Sequence, residues 1–327
     1  MLRHRYRRLV DDLTRVFVGG TGRSGTTATA TALGAHPLLT TIPREVRFLA
    51  SAGGLADVVA GRADPGTFAR TLRGAWFRTP REGRTDGGLH HLIDEKVLVA
   101  AVRRYRIGPR AALPSARRLI VDLLDPLAGS KGGWIEHTPE TVLVARAVAA
   151  ILPGAHLIHS VRDGRDVGAS VATREWGPAH PVEGVRWWCW RLLRASRQSA
   201  GWAPGRLHLM RFEDLAIRRR HETLSRLLGD IGVGDHPDVH RHLDEELTML
   251  RASAGRWNAL PEAAAVDKAY AAALTRLGED EAAAGIVRLL DPSDAPVRRA
   301  MTQAQRRYEV EAEQRWSARI ERRATSR

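Results

Sequence analysis

Four apolar or β-branched runs punctuate the chain, and each is followed at once by polar residues able to do chemistry. Val16-Phe17-Val18 leads into a glycine-rich loop, 38–42 into Arg44-Glu45, 156–161 into Arg162-Asp163, and 207–212 into Glu213-Asp214. Stretches of helical periodicity lie between them, at about 26–34, 139–152, and 166–172 onward to 185–199. This alternation predicts an α/β fold, a three-layer sandwich around a central parallel sheet. Ligands bind such sheets beyond the carboxyl ends of the strands, so all four polar clusters are expected along one edge.

The rhythm breaks at 51–131, where short Ala-, Leu- and Val-rich pieces are separated by Gly and Pro, as in Ala63-Asp64-Pro65-Gly66. That segment reads as a helical insertion or cap. From 293 onward a polar pattern of mixed charge, running through 304–322, predicts a solvated outer helix. No internal repeat is visible, and 327 residues suit one elaborated domain spanning 1–327.

Composition narrows the class. The longest apolar stretch, 142–152, is broken by Arg146 and is too short to span a bilayer. The amino terminus is basic but meets Asp11 and Asp12 where a signal peptide needs an apolar run. The single cysteine, Cys189, rules out an internal disulfide and a four-cysteine metal site. A soluble, cytoplasmic protein without a membrane span is expected. The formal charge of +14 would suit a polyanion, but the cations are dispersed and only Lys96, Lys131 and Lys268 are lysines. No zinc-finger, homeodomain-like or RNP-like signature accompanies them, so a nucleic-acid partner is not expected.

The loop Gly19-Gly20-Thr21-Gly22-Arg23-Ser24-Gly25-Thr26-Thr27 is the most informative element. A P-loop-like turn of this kind, between a strand and a helix, crowds backbone N–H groups around an anion, and the helix adds its unpaired amides and positive dipole end. A P-loop NTPase would read G-x-x-x-x-G-K-[ST]. Here Gly25 is followed directly by Thr26, and the nearest cation is Arg23. A nucleotide-dependent kinase or phosphotransferase is therefore the second reading.

Four separated motifs resemble those of sulfotransferases that use 3′-phosphoadenosine 5′-phosphosulfate (PAPS). Gly22-Arg23-Ser24-Gly25-Thr26-Thr27 resembles the family's 5′-phosphosulfate loop. Val161-Arg162-Asp163-Gly164-Arg165-Asp166-Val167-Gly168-Ala169-Ser170 resembles its 3′-phosphate motif, in which an Arg and a Ser eight residues later hold the phosphate. Arg44-Glu45-Val46-Arg47-Phe48 resembles the basic-Glu-x-x-Phe segment that carries the catalytic base in the polysaccharide and tyrosylprotein branches. Met210-Arg211-Phe212-Glu213-Asp214-Leu215 resembles the usual R-Y/F-E-D-L strand end. The resemblance covers residues 16 to 228, with 51–131 matching poorly.

It implies transfer of a sulfuryl group from PAPS to a hydroxyl or amine, on a small-molecule or carbohydrate acceptor, leaving 3′-phosphoadenosine 5′-phosphate (PAP). Such an in-line displacement builds negative charge on the bridging oxygen, which fixed amides and a cation answer. Arg23 is the expected clamp, too basic to be the proton donor. No metal is required, and no Asp/Glu/His cluster stands out for one. Gly22, Ser24, Gly25, Thr26 and Thr27 are expected to hold the 5′ end, and Arg162 with Ser170 the 3′-phosphate. Arg165 and Asp166 are expected to pair locally or cap the helix.

Glu45 is the expected base, at the end of the second strand beside the glycine loop. Phe48 and Leu49 would raise its pKa and Arg44 and Arg47 would oppose that. The competing reading pairs Glu45 with one of those arginines. His90 and His91 are the alternative bases. The chain departs from the family's pattern at His137, where a lysine is usual; His137 is either a second acid–base group or a residue leading into the helix at Pro139. Ala28 stands where the phenol and steroid branch carries a tryptophan that stacks on adenine. The segment from Arg251 to Trp257 is a weak match to the loop that closes over the nucleotide, and Trp187, Trp188 and Trp190 read as core packing.

Overall fold

A computed structural model describes residues 13–78, 88–105, 112–247 and 254–290. In chain order it contains β1 (Thr14–Gly20), α1 (Thr26–Gly34), β2 (Leu39–Thr41), then α2 (Leu55–Val59), α3 (Pro65–Arg73), α4 (Ala75–Arg78), α5 (Glu95–Arg104) and α6 (Ala112–Leu124). There follow β3 (Gly133–Glu136), α7 (Ala145–Ile151), β4 (His156–Val161), α8 (Gly164–Val171), α9 (Pro181–Ser199) and β5 (Leu207–Arg211). The last described helices are α10 (Arg220–Asp230), α11 (Pro237–Glu246), α12 (Ala263–Gly278) and α13 (Ala284–Val287).

The strands form one parallel sheet in the order β2-β3-β1-β4-β5. Phe17 lies opposite both Glu136 and Leu157, and Gly20 opposite Ser160. Successive residues point to opposite faces, and both faces of β1 are covered. Val16 and Val18 pack with Leu33 of α1 and Leu224 and Leu227 of α10. Phe17 packs with Trp134 and with the helices between β2 and β3, through residues such as Phe68, Leu98 and Leu119. The architecture is the expected three-layer α/β sandwich. With β3 to one side of β1 and β4 to the other, the chain reverses direction across the sheet at β1, and a crevice opens there at the carboxyl ends.

Three local expectations change. Among the described residues the sheet has five strands, because Gly133-Trp134-Ile135-Glu136 inserts as β3 between β1 and β2. The run ending at Thr41 is therefore an edge strand and does not adjoin the glycine loop's strand. The helix expected over 139–152 divides into a 3₁₀ segment, Pro139–Val144, and α7. Pro139 fixes the start, and the β-branched Thr141, Val142 and Val144 weaken an α-helix there. The helical stretch from 166 is interrupted over 172–180. Its halves, α8 and α9, touch backbone to backbone: a Cβ on Gly184 would lie 2.6 Å from the Gly168 carbonyl oxygen. The polar helix expected beyond 293 lies outside the described residues. Among the described residues, no helix is long and apolar enough to cross a membrane.

His159, in the middle of β4, is wholly buried and neither ring nitrogen has a partner. Burial disfavours its charged form and pushes it down to about 4, from an ordinary 6.5. The unfolded chain thus binds a proton that the fold refuses. The stabilising contribution is complete above about pH 6.5 and is lost as pH falls toward 4. Replacing this group with an apolar one should remove its share of acid sensitivity, on the order of 3 kcal/mol at most. His159→Leu is expected to gain stability relative to the wild type as pH is lowered from 7 to 5, measured as the difference in urea unfolding free energy; a constant difference across that range contradicts it.

Candidate functional site

The glycine loop turns on left-handed residues: Gly22 has φ +96°, Arg23 +57° and Gly25 +80°. Arg23 is the one non-glycine residue with positive φ among the described residues. That conformation costs a side-chain-bearing residue roughly 1–2 kcal/mol, and strain of this kind collects at functional sites. Backbone curved this way turns consecutive N–H groups into a concave nest. The nest opens onto the start of α1, which begins at Gly25 with no side-chain cap and no acidic residue in its first turn. Hydroxyls brace the loop. Ser160 Oγ donates to the Ser24 carbonyl (2.7 Å), Ser24 Oγ to the Gly22 carbonyl (3.3 Å), and Thr21 Oγ1 lies 3.1 Å from Ser24 Oγ. Thr26 is buried and Thr27 exposed.

The end of β4 meets this loop directly. Arg162 Nη1 donates to the Arg23 carbonyl (3.0 Å), and Arg23 Nε donates to Ser170 Oγ, 3.0 Å away on α8. Two segments 147 residues apart, expected from sequence to bind opposite ends of one ligand, are thus within hydrogen-bond distance. Desolvation lowers the Arg23 pKa, nearby Arg174 and Arg162 lower it further, and Glu45 opposes them. The last of these places Glu45 within electrostatic reach of the loop cation.

The rest of the β4–α8 motif is structural, though not as expected. Asp163, not Asp166, caps α8, accepting from the Arg165 N–H (2.8 Å). Arg165 pairs locally with Asp163 and also with Asp267 of α12 (2.6 Å each). Its guanidinium lies 4.4 Å from both the Trp257 and Tyr270 ring centroids. Asp166 accepts from the backbone N–H groups of Gly255 (2.7 Å) and Trp257 (3.5 Å), tying that segment to the site. Burial pushes Asp166 up to about 7 although Arg162 stands 4.0 Å away. Residues 251–253 of the segment expected to close over the nucleotide lie outside the described residues.

The strand-end motif after β5 turns out to support the other two. A Cβ on Gly25 would stand only 2.1–2.7 Å from three carbons of the Phe212 ring, so the loop's third left-handed residue must be glycine on steric as well as conformational grounds. The same ring lies beneath Arg162, whose guanidinium carbon is 5.3 Å from its centroid. Glu213 is wholly buried, accepting from the Asp163 N–H (2.9 Å) and from Arg211 Nε (3.0 Å). The sequence singled out Phe212 and Glu213 only as a resemblance, and nothing in the local pattern says what they touch.

Glu45 sits on the turn after β2, partly exposed, with Arg47 Nη2 at 2.6 Å. The competing ion pair is therefore present. Exposed to this degree it contributes little, at most about 1 kcal/mol, and leaves the carboxylate able to turn. Phe48 and Leu49 point into the hydrophobic cluster under the helical segment. The turn itself is held by Glu136, which sequence reading missed. Wholly buried at the end of β3, Glu136 accepts from the Val46 N–H (3.0 Å), the Thr138 N–H (2.8 Å) and the Thr138 hydroxyl. Burial raises its pKa, and those donors oppose the shift.

His137, next in the chain, is buried with Nδ1 unpartnered. His90 bonds instead to the Phe77 carbonyl (2.7 Å) and lies against His91, within the helical segment. The three clustered tryptophans divide: Trp188 is core, Trp190 is exposed, and Trp187 reaches the loop, its Cη2 3.3 Å from where a Gly22 Cβ would stand. Ala28 packs against the α1-side cluster. Among the described residues no group of three or more His, Cys, Asp or Glu side chains is placed to hold a metal ion.

The arrangement is an anion cradle joined to a second cationic site, with a carboxylate nearby and two further arginines in electrostatic reach of Arg23. No curated protein matches the sequence significantly. Among solved structures, the sulfotransferase domain of the Synechococcus PCC 7002 olefin synthase is 16% identical, covering 79% of this chain and 93% of that one at a TM-score of 0.49. A sulfotransferase from Mycobacterium tuberculosis H37Rv is 14% identical, covering 82% of this chain and 80% of that one at a TM-score of 0.43. The sequence model of the Sulfotransferase family matches residues 15–238, more than half of the chain and all of the elements that build the cradle. The protein belongs to the sulfotransferase family.

Proposed function

We propose that this sulfotransferase takes its sulfuryl group from PAPS and passes it to a hydroxyl or amine by in-line displacement. PAPS would supply the activated sulfuryl group on a good leaving group. The nest of Gly22, Arg23, Ser24 and Gly25, with Thr26 and Thr27 opening α1, would hold the 5′-phosphosulfate by backbone amides and hydroxyls. Arg162 and Ser170 would hold the 3′-phosphate by charge-assisted hydrogen bonds. The observation that carries this reading is the Arg23–Ser170 contact of 3.0 Å, with Arg162 on the Arg23 carbonyl. It supports a single clamp for two phosphate groups in one ligand, which a loop binding one polyphosphate chain does not need.

Arg23 is the cation best placed to answer charge on the bridging oxygen, and its strained backbone fixes where the guanidinium starts. Glu45 would accept the acceptor's proton, paired with Arg47 and positioned through the Val46–Glu136 hydrogen bond. The helical segment between β2 and β3 would form the acceptor-binding cap of one continuous catalytic domain. The kinase reading is not favoured, since the position after Gly25 that a P-loop gives to lysine is Thr26.

Two outcomes are expected. With PAPS and an acceptor pool, mass spectrometry should find products heavier by one sulfuryl group. Glu45→Gln should lower kcat by about 10²–10⁴-fold with PAP affinity unchanged, and Arg23→Ala by about 10²–10³-fold; full activity in both would refute the assignment of roles. Gly25→Ala, which adds a left-handed strain and an overpacked contact with Phe212, should lose about 2–4 kcal/mol of stability. Its thermal stabilisation by PAP should vanish, whereas an unchanged PAP shift would mean the loop does not hold the nucleotide.

A further inference from the structure

Trp187, packed on one side against the core of α9, reaches the glycine loop on the other, and Trp176 beside it is exposed. Trp176, on the connection between α8 and α9, keeps 53% of its surface exposed. Its ring lies 6.2 Å from that of Trp187, tilted by 48°, and the far edge of Trp187 reaches Gly22. The Arg191 guanidinium covers Trp187 at 4.6 Å from its centroid, held there by Glu140 at 3.1 Å. An indole exposed to this extent beside a cationic site is a poor use of apolar surface unless something lies on it.

We propose that the Trp176–Trp187 pair is the acceptor platform, and that the acceptor is a phenol, its ring on the indoles and its hydroxyl directed at the loop. This rests on the PAPS reading of the loop and names the substrate class it serves. Three features favour an aromatic ring over a sugar. Sugar hydroxyls are commonly read by carboxamides, and residues 1–197 contain neither Asn nor Gln. Glu140, which holds Arg191 over Trp187, is already engaged by that arginine. Finally, Arg174 and Arg162 both lie within electrostatic reach of Arg23, and together the cations favour an anionic oxygen at the loop.

The proton balance points the same way. Any carboxylate removes a proton from a phenol of about 10 far more readily than from an alkyl hydroxyl near the 15.7 of water. In the transfer the phenolic oxygen bonds to sulfur as its proton passes to Glu45. The bridging S–O bond breaks, and its electron pair leaves with the nucleotide.

Isothermal titration of 2-naphthol into the full chain, with and without saturating PAP, tests the platform, with N-acetylglucosamine as the sugar probe. Naphthol is expected to bind and N-acetylglucosamine not to. Trp176→Ala should weaken naphthol at least about tenfold, while Trp190→Ala, exposed on α9, should leave it unchanged. Because Trp176 is exposed, its loss should not disturb folding, and equal PAP affinity in the variant confirms this. Naphthol binding that is indifferent to Trp176→Ala, or saturable N-acetylglucosamine binding without naphthol binding, overturns the proposal. Failure of PAP to bind the wild type would instead overturn the donor reading, leaving the PAP-free naphthol titration to judge the platform.

Discussion

The Phe212 ring is the contact on which the site depends, since it fills the space a Gly25 side chain would need and lies under the Arg162 guanidinium. One aromatic face thereby fixes the relative positions of two loops that come from opposite ends of the motif-bearing sequence. Moving the ring would free the left-handed turn at Gly25 and the cation at the end of β4 together. The sheet order explains how this is possible. β5 is next to β4 and β4 next to β1, so the three carboxyl ends that carry Phe212, Arg162 and Gly25 are consecutive.

Beneath that contact lies a set of charges, most of them buried, in which removing one partner would leave another charge desolvated and unpaired. Arg211 pairs with Glu213, Glu213 takes the Asp163 N–H, Asp163 takes Arg165, and Arg165 reaches Asp267. The chain of contacts runs from β5 through the start of α8 to α12. Glu136 plays the corresponding part on the other side of β1, holding the turn that carries Glu45. Arg23 and Glu45, the residues read as reactive, thus sit beside two buried networks, and strain at Arg23 persists because Ser160, Ser24 and Arg162 hydrogen-bond the loop into its turn.

Much of this was legible in the sequence, for physical reasons that differ by element. The left-handed turn was visible because glycines at those spacings signal it, and the polar residues following apolar runs mark the working edge of a parallel sheet. β3 was not visible: it is four residues long, with a charged residue at its end, and periodicity cannot separate so short a run from a loop. Missing it misplaced Glu45's strand and hid Glu136, whose burial depends on a pairing no local pattern reports. Phe212 was noticed and its role was not, because an aromatic residue at a strand end carries no sign of the glycine it will meet 187 residues earlier. Trp187 was read with its neighbours as core, and helical spacing could not tell which of the three indoles would face the loop.

The claim that joins these observations is that one ligand carries two phosphate groups to two halves of one clamp. Calorimetric comparison of PAP with 5′-AMP, which lacks the 3′-phosphate, tests it most directly. PAP should bind at least about tenfold more tightly, the least that charge-assisted bonds from Arg162 and Ser170 should contribute, and that margin should disappear in Arg162→Ala. Equal affinities for the two nucleotides in the wild type would contradict it.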